Sequence, residues 1–389
     1  MPLGVEKFVI LYDEARMWRT FLLLFVSCCC LPAQTPPPPY KIAVIGLVHS
    51  HAWGRLRSML LNKSAQFVGV AEPNAELLAE AKKAGVPDAL LFTDYDKMLD
   101  QTKPDMVWAF VENNRHLEMA KVCAPRHINL IFEKPLASTY ADAKQMQSLA
   151  AKYNIRIMTN YQMAWWPTNY AAKNAADHGE IGTVYRLRGI VGHGGPGSNG
   201  VRNKYFFDWL TDPEKNGAGA LMDFGCYNAL WSVWYLGMPT SVYATAQHLR
   251  PERFPKVEDS ATLVFTYPHA SALFEASWDL PRGFQDLEVF GLSSDSGTPE
   301  QAPGSLYMTQ AGVEWRKSKE TKQLTVAPLP EEESDPVAYM VSRIKADKPV
   351  EGLTAIEINV DVIHLIELAK ESIKTGRAVP VSERVHGTK

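Results

Sequence analysis

Asp223 and Tyr227 combine residue types and spacing that could bind a hydroxyl group and move its proton. They lie four residues apart at the predicted start of a helix, so both side chains project from one helix face. Oxidation of a secondary alcohol requires a group within hydrogen-bond reach that takes the hydroxyl proton as the hydride leaves. A free tyrosine titrates near about 10 and needs a neighbouring positive charge to act as a base at neutral pH. The alternative is that Tyr227 only packs between two domains.

A second group of residues follows the first predicted strand, where the chain reads Gly46-Leu-Val-His-Ser-His51 and then enters a predicted helix. A glycine turn at this place lets backbone N–H groups and the positive end of a helix dipole approach a dinucleotide pyrophosphate. Gly46 occupies the first glycine position of the usual pattern, and Val48 and His51 replace the other two. Val48 would push the phosphates outward, while Ser50 or His51 could donate hydrogen bonds to them. We therefore predict cofactor contacts from Gly46, Val48, His49, Ser50 and His51.

Glu72 lies just beyond the second predicted strand, about 26 residues after Gly46. A carboxylate at this place accepts hydrogen bonds from both ribose hydroxyls of a dinucleotide and repels a 2′-phosphate. The sequence therefore favours NAD over NADP as the cofactor. The alternative is that Glu72 caps the helix that follows it.

The elements that must position these residues alternate between short apolar runs and helical stretches over residues 40–160. Alternation at this spacing predicts right-handed βαβ units and a parallel sheet, and hence an α/β Rossmann domain. We predict strands over 41–46, 66–71, 106–111, 129–132 and 155–159, and helices over 53–62, 75–84, 115–123 and 142–153.

Residues 161–389 show a different pattern of predicted secondary structure, because several predicted strands follow one another without intervening helices. This pattern predicts an α+β domain with an open, mostly antiparallel β-sheet. The last predicted helix carries apolar residues at helical spacing, and we expect it to pack back on the Rossmann domain. We predict helices over 170–178, 223–236, 336–346 and 354–375, strands over 184–191, 241–247, 260–267, 271–278 and 287–290, and a glycine-rich loop over 192–200.

Three motifs resemble the Gfo/Idh/MocA oxidoreductase family over roughly residues 41–379. They are Asn113-Asn-Arg-His116, Glu133-Lys134-Pro135, and Gly217-Ala-Gly-Ala-Leu-Met-Asp223-Phe-Gly-Cys-Tyr227. In most of this family a histidine occupies the last position of the third motif. A tyrosine there resembles the branch of glucose–fructose oxidoreductase and dihydrodiol dehydrogenase.

The resemblance implies a role for each motif. Asn113, His116 and Glu133 would lie beside the dinucleotide. Lys134 would reach the reacting hydroxyl and stabilise a phenolate on Tyr227, which transfers the proton. Asp223 would accept a hydrogen bond from a substrate hydroxyl. The activity implied is hydride transfer between a sugar or polyol hydroxyl and nicotinamide, and the implied assembly is a homodimer or homotetramer.

Four further residues are predicted to contact the substrate. Aromatic faces and fixed polar groups commonly bind sugars, which favours Trp165, Trp166, His193 and Arg202. The alternative is that the indoles belong to the core and that Arg202 is solvated. No local metal-ligand pattern is present, so we predict no metal site. Two other functions of the same fold stay open, an NAD-using glycoside hydrolase and a non-catalytic homologue that binds sugar or dinucleotide.

Composition and the N-terminal segment limit the remaining possibilities. The 389 residues carry a formal net charge of −3 without a long basic run, so we expect no nucleic-acid partner. Residues 1–39 indicate a secretory signal peptide, with Met17 as the expected start, and a proline-rich linker. The apolar run over 21–30 is too short for a stable membrane span. We expect an exported, periplasmic protein. A lipoprotein acylated at Cys28, or a cytoplasmic protein if this segment is not a signal, are the alternatives.

Overall fold

The computed structural model describes residues 40–292, 304–317 and 319–381. The predicted signal peptide and proline-rich linker, residues 1–39, lie outside the described residues. Within these ranges, no helix combines the length and the apolar character that a membrane crossing requires.

The first sheet follows from the short apolar runs of the N-terminal half. Its strands are β1 (Tyr40–Ile45), β2 (Ala65–Ala71), β3 (Leu91–Phe92), β4 (Met106–Ala109), β5 (Asn129–Glu133) and β6 (Ile157–Asn160). All neighbours are parallel, in the order β3-β2-β1-β4-β5-β6. This is the Rossmann strand order, so the predicted α/β domain is confirmed. Strands β4 and β5 are buried along their whole length, as expected when helices cover both faces of a parallel sheet.

The helices of this half are α1 (His51–Leu60), α2 (Ala75–Lys83), α3 (Tyr95–Thr102), α4 (His116–Cys123) and α5 (Tyr140–Tyr153). The side chains of Asn74, Asp94 and Thr139 cap α2, α3 and α5 by accepting N–H groups of the first turn. The sequence prediction omits α3 and β3. Helix α1 begins two residues earlier than predicted, because Ser50 at its N-cap makes no side-chain capping bond that would mark the start.

The second sheet contains nine strands, and the predicted open, mostly antiparallel sheet is confirmed. They are β7 (Thr183–Gly192), β8 (Ser241–Gln247), β9 (Ser260–Thr266), β10 (Ser271–Ser277), β11 (Phe284–Leu292), β12 (Gly304–Thr309), β13 (Gly312–Lys317), β14 (Glu320–Gln323) and β15 (Val379–Pro380). Their order is β14-β13-β12-β11-β7-β10-β9-β8-β15. Among these described strands, β7 and β10 form the parallel pair and the other neighbours are antiparallel. The prediction lacks β12 to β15.

The remaining helices are α6 (Pro167–Asp177), α7 (Val201–Leu210), α8 (Pro213–Asn216), α9 (Ala220–Asp223), α10 (Gly225–Leu236), α11 (Pro336–Lys345) and α12 (Ile356–Thr375). The predicted single helix over 223–236 is wrong at its start, because Phe224 interrupts it and separates α9 from α10. Helix α12 contributes to the cores of both sheets. Its Val360 and Ile363 join the core of the first sheet, and its Leu365 and Ile366 join that of the second. Domain boundaries at residues 160 and 161 stay a prediction.

Candidate active site

Two cavities lie on either side of the turn between β1 and α1. The larger, of about 720 Å³, is lined from both halves of the chain, and its wall includes His51, Lys134, Asp223 and Tyr227. The smaller, of about 470 Å³, lies over the carboxyl ends of β1 and β2 and includes Gly46, Val48 and Glu72. In an open parallel sheet, ligands bind at this edge, at the point between β1 and β4 where the strand order reverses.

The turn itself is built around Gly46. Its φ of +82° lies in the left-handed region, and an added Cβ would lie 2.9 Å from the carbonyl oxygen of Phe110 and 2.6 Å from Cγ1 of Val111. Only glycine fits here without movement of the backbone of the next strand. The N–H groups of Leu47 and His49 donate to Glu72 and to the carbonyl oxygen of Phe110 at 2.7 and 3.2 Å. The turn is therefore fixed against its two neighbouring strands.

Glu72 faces the smaller cavity from a buried position at the end of β2. Its two carboxylate oxygens accept hydrogen bonds from the N–H groups of Leu47 at 2.7 Å and Asn74 at 2.8 Å. Burial raises the pKa of Glu72, while these two bonds act in the opposite direction. Asn74 provides the N-cap of α2, so the alternative interpretation of Glu72 as the capping residue is wrong.

Lys134 and Asp223 form a buried ion pair in the wall of the larger cavity. Lys134 follows β5 at a cis peptide bond with Pro135, and its ammonium donates to the carboxylate of Asp223 and to the Asp223 carbonyl oxygen at 3.0 Å. The indole N–H of Trp278 donates to the second carboxylate oxygen at 2.8 Å. Burial opposes both charges, but their attraction outweighs it. The pKa of Asp223 is therefore lowered and that of Lys134 raised.

Tyr227 lies beside this pair on α10. Its ring centroid is 5.4 Å from the ammonium of Lys134, and its ring packs edge-on against Tyr161. Burial raises the pKa of Tyr227, and the positive charge of Lys134 only partly opposes that rise. The phenol is therefore protonated at neutral pH, so it can donate a hydrogen bond into the cavity that it lines.

Two histidines that line the larger cavity meet a buried glutamate. The Nδ1 atom of His51 lies 2.8 Å from Oε2 of Glu133, and the amide of Asn160 donates to Oε1 at 2.9 Å. The Nδ1 atom of His49 accepts the backbone N–H of His51 at 3.2 Å. One ligand atom from each of His49, His51 and Glu133 lies within 4.8 Å of the others. The sequence predicts no metal site because it contains no local ligand pattern, whereas the fold brings these side chains together from two strand ends.

The family models match the chain in two consecutive segments. Residues 40–161 match the model described as oxidoreductase family, NAD-binding Rossmann fold, and residues 170–293 match the GFO/IDH/MocA C-terminal domain. The chain belongs to the Gfo/Idh/MocA family.

Named relatives of this Gfo/Idh/MocA protein include sugar dehydrogenases. D-xylose 1-dehydrogenase (NADP(+)) 2 of Haloferax volcanii is 26% identical over 313 residues, which are 78% of this chain and 88% of that protein. Levoglucosan dehydrogenase of Pseudarthrobacter phenanthrenivorans is 27% identical over 195 residues, 47% of this chain and 46% of that protein. The crystal structure of aldose–aldose oxidoreductase from Caulobacter crescentus superimposes with a TM-score of 0.73 at 19% identity, covering 88% of this chain and 100% of that one. That likeness supports the fold.

Asn113 and His116, which the family resemblance places beside the cofactor, line neither cavity. The Asn113 amide donates to Oδ1 of Asn216 at 2.7 Å. The Nδ1 atom of His116 lies 3.0 Å from the carbonyl oxygen of Leu136, and burial lowers the pKa of His116 to about 4. Both side chains are buried, and their contact with the cofactor stays a prediction.

The four predicted substrate residues separate into two pairs. Trp166 and His193 line the larger cavity. Trp165 and Arg202 do not, so the structure does not support their predicted placement. The Trp165 indole donates to Asn160 at 2.8 Å and packs against Tyr339. Arg202 belongs to the helix Val201–Leu210. It stacks on the indole of Trp53 at 4.4 Å and pairs with Glu80 at 3.1 Å.

Helix α7 is a part of the site that the sequence prediction missed. Its Trp209 donates to the carbonyl oxygen of Val48 at 3.1 Å, and its Phe206 packs against His49 with ring centroids 5.1 Å apart. The hydroxyl of Tyr205 donates to Glu76 on α2 at 2.7 Å. The available signal was the aromatic residues at positions 205, 206 and 209, whose spacing puts apolar groups on one side of a helix.

Proposed function

We propose that this Gfo/Idh/MocA protein is an NAD-dependent oxidoreductase that transfers hydride between a carbohydrate hydroxyl and nicotinamide. The observation that carries the proposal is the Lys134–Asp223 pair with Tyr227 in the wall of a cavity at the cofactor edge of a Rossmann sheet. The two named sugar dehydrogenases among its relatives support the carbohydrate as substrate class.

The residues of the turn and of the smaller cavity fit a dinucleotide. Glu72 would hold the adenosine ribose, since each of its oxygens accepts one N–H group and keeps a lone pair for a ribose hydroxyl. The N–H groups of Val48 and Ser50 lie at the start of α1, where the helix dipole favours phosphate. The bound dinucleotide supplies the hydride acceptor.

The charges around the smaller cavity favour NAD over NADP. A 2′-phosphate would meet the carboxylate of Glu72. Arg115 also lines this cavity, but its guanidinium already pairs with Glu118 at 2.9 Å and with Glu112 at 3.5 Å. Because these two carboxylates neutralise the guanidinium, Arg115 would not attract a 2′-phosphate on the ribose.

The side chains of the larger cavity divide the work of proton transfer. Asp223 holds Lys134 in place, because movement of the ammonium would leave a buried carboxylate without its partner. The positive charge therefore stays fixed beside Tyr227. That charge stabilises negative charge on the phenolate or on the substrate oxygen as the proton moves. The protonated Tyr227 gives this proton when a carbonyl is reduced, and it takes the proton of a hydroxyl only as the phenolate, after its own proton has passed to water. Asp223 keeps lone pairs with which it can orient a neighbouring hydroxyl.

Cofactor binding is the first test. Purified protein should show a higher melting temperature with NAD, because a ligand at about 100 times its Kd adds about 2.7 kcal/mol to the free energy of unfolding. NADP should raise it less. A melting temperature that neither dinucleotide changes would contradict the proposed function.

Activity is the second part of the same test. A panel of aldoses, polyols and anhydrosugars with NAD should give net absorbance at 340 nm. Lys134→Met should lower kcat by about 100-fold with a smaller effect on KM, because Lys134 acts on charge that develops during the reaction. Lys121→Met replaces an exposed lysine and should leave both constants unchanged. Cleavage of aryl glycosides without net NADH would instead favour the NAD-using glycoside hydrolase.

We also propose export and self-association. The pattern of a basic residue, an apolar run and small residues before residue 34 supports a cleaved signal and a periplasmic protein. N-terminal sequencing of protein from a periplasmic fraction tests this proposal. The face of the second sheet that the described residues leave open supports a homodimer, from which a homotetramer can be built.

A further inference from the structure

The cluster of His49, His51 and Glu133 has no task in the hydride transfer described above. We propose that these three side chains bind one divalent first-row transition-metal ion in the wall of the larger cavity. The inference concerns a second ligand and does not depend on the dinucleotide.

The ligand types and spacing suit such an ion. Imidazole nitrogens with a carboxylate oxygen are ligands that Zn²⁺, Fe²⁺, Co²⁺ and Mn²⁺ accept. Metal–ligand bonds of about 2.0–2.2 Å place two ligands of one ion about 3–4 Å apart. His51 Nδ1 and Glu133 Oε2 are already 2.8 Å apart, and all three ligand atoms lie within 4.8 Å. Small side-chain rotations would bring the three ligand atoms to the spacing that one ion requires.

The surroundings hold these ligands in place and balance the charge. Asn160 fixes the second oxygen of Glu133, and this carboxylate is fully buried. Phe206 and Trp209 of α7 pack around the ring of His49. Outer contacts of this kind orient metal ligands. The positive charges that act on these side chains are those of Lys134 and Arg55. The ammonium of Lys134 is neutralised by Asp223 and would not repel a cation strongly.

The position of the cluster indicates what the ion would contact. His49 and His51 line the same cavity as Lys134 and Tyr227. Three protein ligands on one side leave coordination positions open, as in catalytic sites and unlike closed structural sites. The open positions face the cavity, so water or the vicinal hydroxyls of a carbohydrate would occupy them. The ion would thereby orient the substrate in the cavity that Asp223 also lines.

The experiment uses tag-free full-length protein, treated with EDTA and passed through a desalting column. Titration with CoCl₂ should produce visible d–d absorption that saturates at one equivalent per chain, and elemental analysis of the desalted complex should give the same stoichiometry. His51→Ala and Glu133→Gln should lower the affinity for Co²⁺ at least tenfold. His178→Ala replaces an exposed histidine outside the cluster and should bind Co²⁺ like the wild type.

Three results would overturn the proposal. The first is absence of Co²⁺ binding by folded wild-type protein, which would leave His51 and Glu133 as a simple hydrogen-bonded pair. The second is unchanged affinity in His51→Ala. The third is near-ultraviolet thiolate charge-transfer absorption, which would assign binding to the cysteines at 28–30. If ligand variants fail to fold, the wild-type stoichiometry and spectrum decide. The melting-temperature response to NAD, measured separately on metal-free protein, distinguishes this failure from failure of the proposed function.

Discussion

At the scale of single residues, the Lys134–Asp223 pair shows how the site depends on compensation of buried charge. Both side chains are less than a tenth exposed, and each would lose hydration without gaining a partner if the other were absent. Removal of one member of such a pair is costly because it leaves an unpaired charge in the interior. Well-packed apolar residues at these two positions could give the same free energy of unfolding. The pair therefore matters more for fixing the position of the ammonium than for overall stability.

This pair makes stability depend on pH in a defined direction. The pKa of Asp223 is lower in the folded protein than the usual value of about 3.9, so folding releases a proton as pH falls below that value. Its stabilisation is thus complete above about pH 4 and is lost as pH falls towards the folded-state pKa. Asp223→Asn should lower the free energy of unfolding by about 3 kcal/mol at pH 7, and by less at pH 3. Urea unfolding at both pH values measures the difference.

A constant difference between pH 7 and pH 3 would contradict this interpretation of Asp223. The matched control is Asp88→Asn, because Asp88 forms an exposed ion pair with Lys82. Surface pairs of this kind contribute about 0–1 kcal/mol, so the control should show little change at either pH.

The sequence predicted site residues best where they follow a strand end. Glu72 was identified in this way, because parallel strands bring their carboxyl ends to one edge. The role of Lys134 was predicted from the family resemblance of the motif that follows β5. The contact between His51 and Glu133 joins residues 82 positions apart, and no local pattern encodes it. Trp165 does not line the larger cavity, and the sequence could not show this because an indole fits a core as well as a sugar site.

At the scale of elements, the helices and buried strands with a strong periodic pattern were predicted from the sequence. The elements that depend on contacts with distant parts of the chain were not. Helix α7 begins at Val201, and Gly200 before it provides no side-chain cap. Its ends are held by the contacts of Arg202 with Glu80 and of Trp209 with Val48. These contacts form only in the folded chain. Strand β3 has two residues, too few to show alternation. The broken start of α10 depends on the segment before it.

The segment before α10 includes Gly219, the residue that precedes α9, and its packing leads to a testable prediction. The N–H groups of Gly219 and Leu221 donate to the carboxylate of Glu258 at 2.7 and 3.0 Å, which sets the direction of α9 and hence of Asp223. A Cβ at Gly219 would lie 1.9 Å from the carbonyl oxygen of Glu258. Gly219→Ala should therefore lower the free energy of unfolding by about 1–3 kcal/mol and reduce activity. Urea unfolding and the sugar assay measure both effects.

Gly54→Ala is the matched control. Gly54 lies on the exposed side of α1, where an added Cβ meets no atom within 4 Å. Alanine should stabilise this helix by about 0.5–1 kcal/mol. If Gly219→Ala were as stable as Gly54→Ala, close packing against Glu258 could not be what positions α9.

At the scale of the whole molecule, the second sheet has one face covered by helices and one face that the described chain leaves open. On the open face, Tyr243, Val264 and Leu273 lie side by side across β8, β9 and β10. Tyr243 is 39% exposed and Leu273 is 44% exposed. A row of apolar side chains across three strands is typical of an interaction surface, since scattered single apolar residues would not align in register. Arg188 and Glu288 continue this row as a polar border.

The proposed homodimer through this face is tested with a charge at its centre. Leu273→Asp should convert the dimer to a monomer, because an aspartate in an apolar interface must be desolvated without a partner. Size-exclusion chromatography with light scattering should show the mass fall by half, while circular dichroism stays unchanged. Leu61→Asp places the same charge at the end of α1, on a leucine 75% exposed and far from this sheet in the fold, and should leave the dimer intact. A monomeric wild type, or a dimeric Leu273→Asp, would exclude this face as the contact surface.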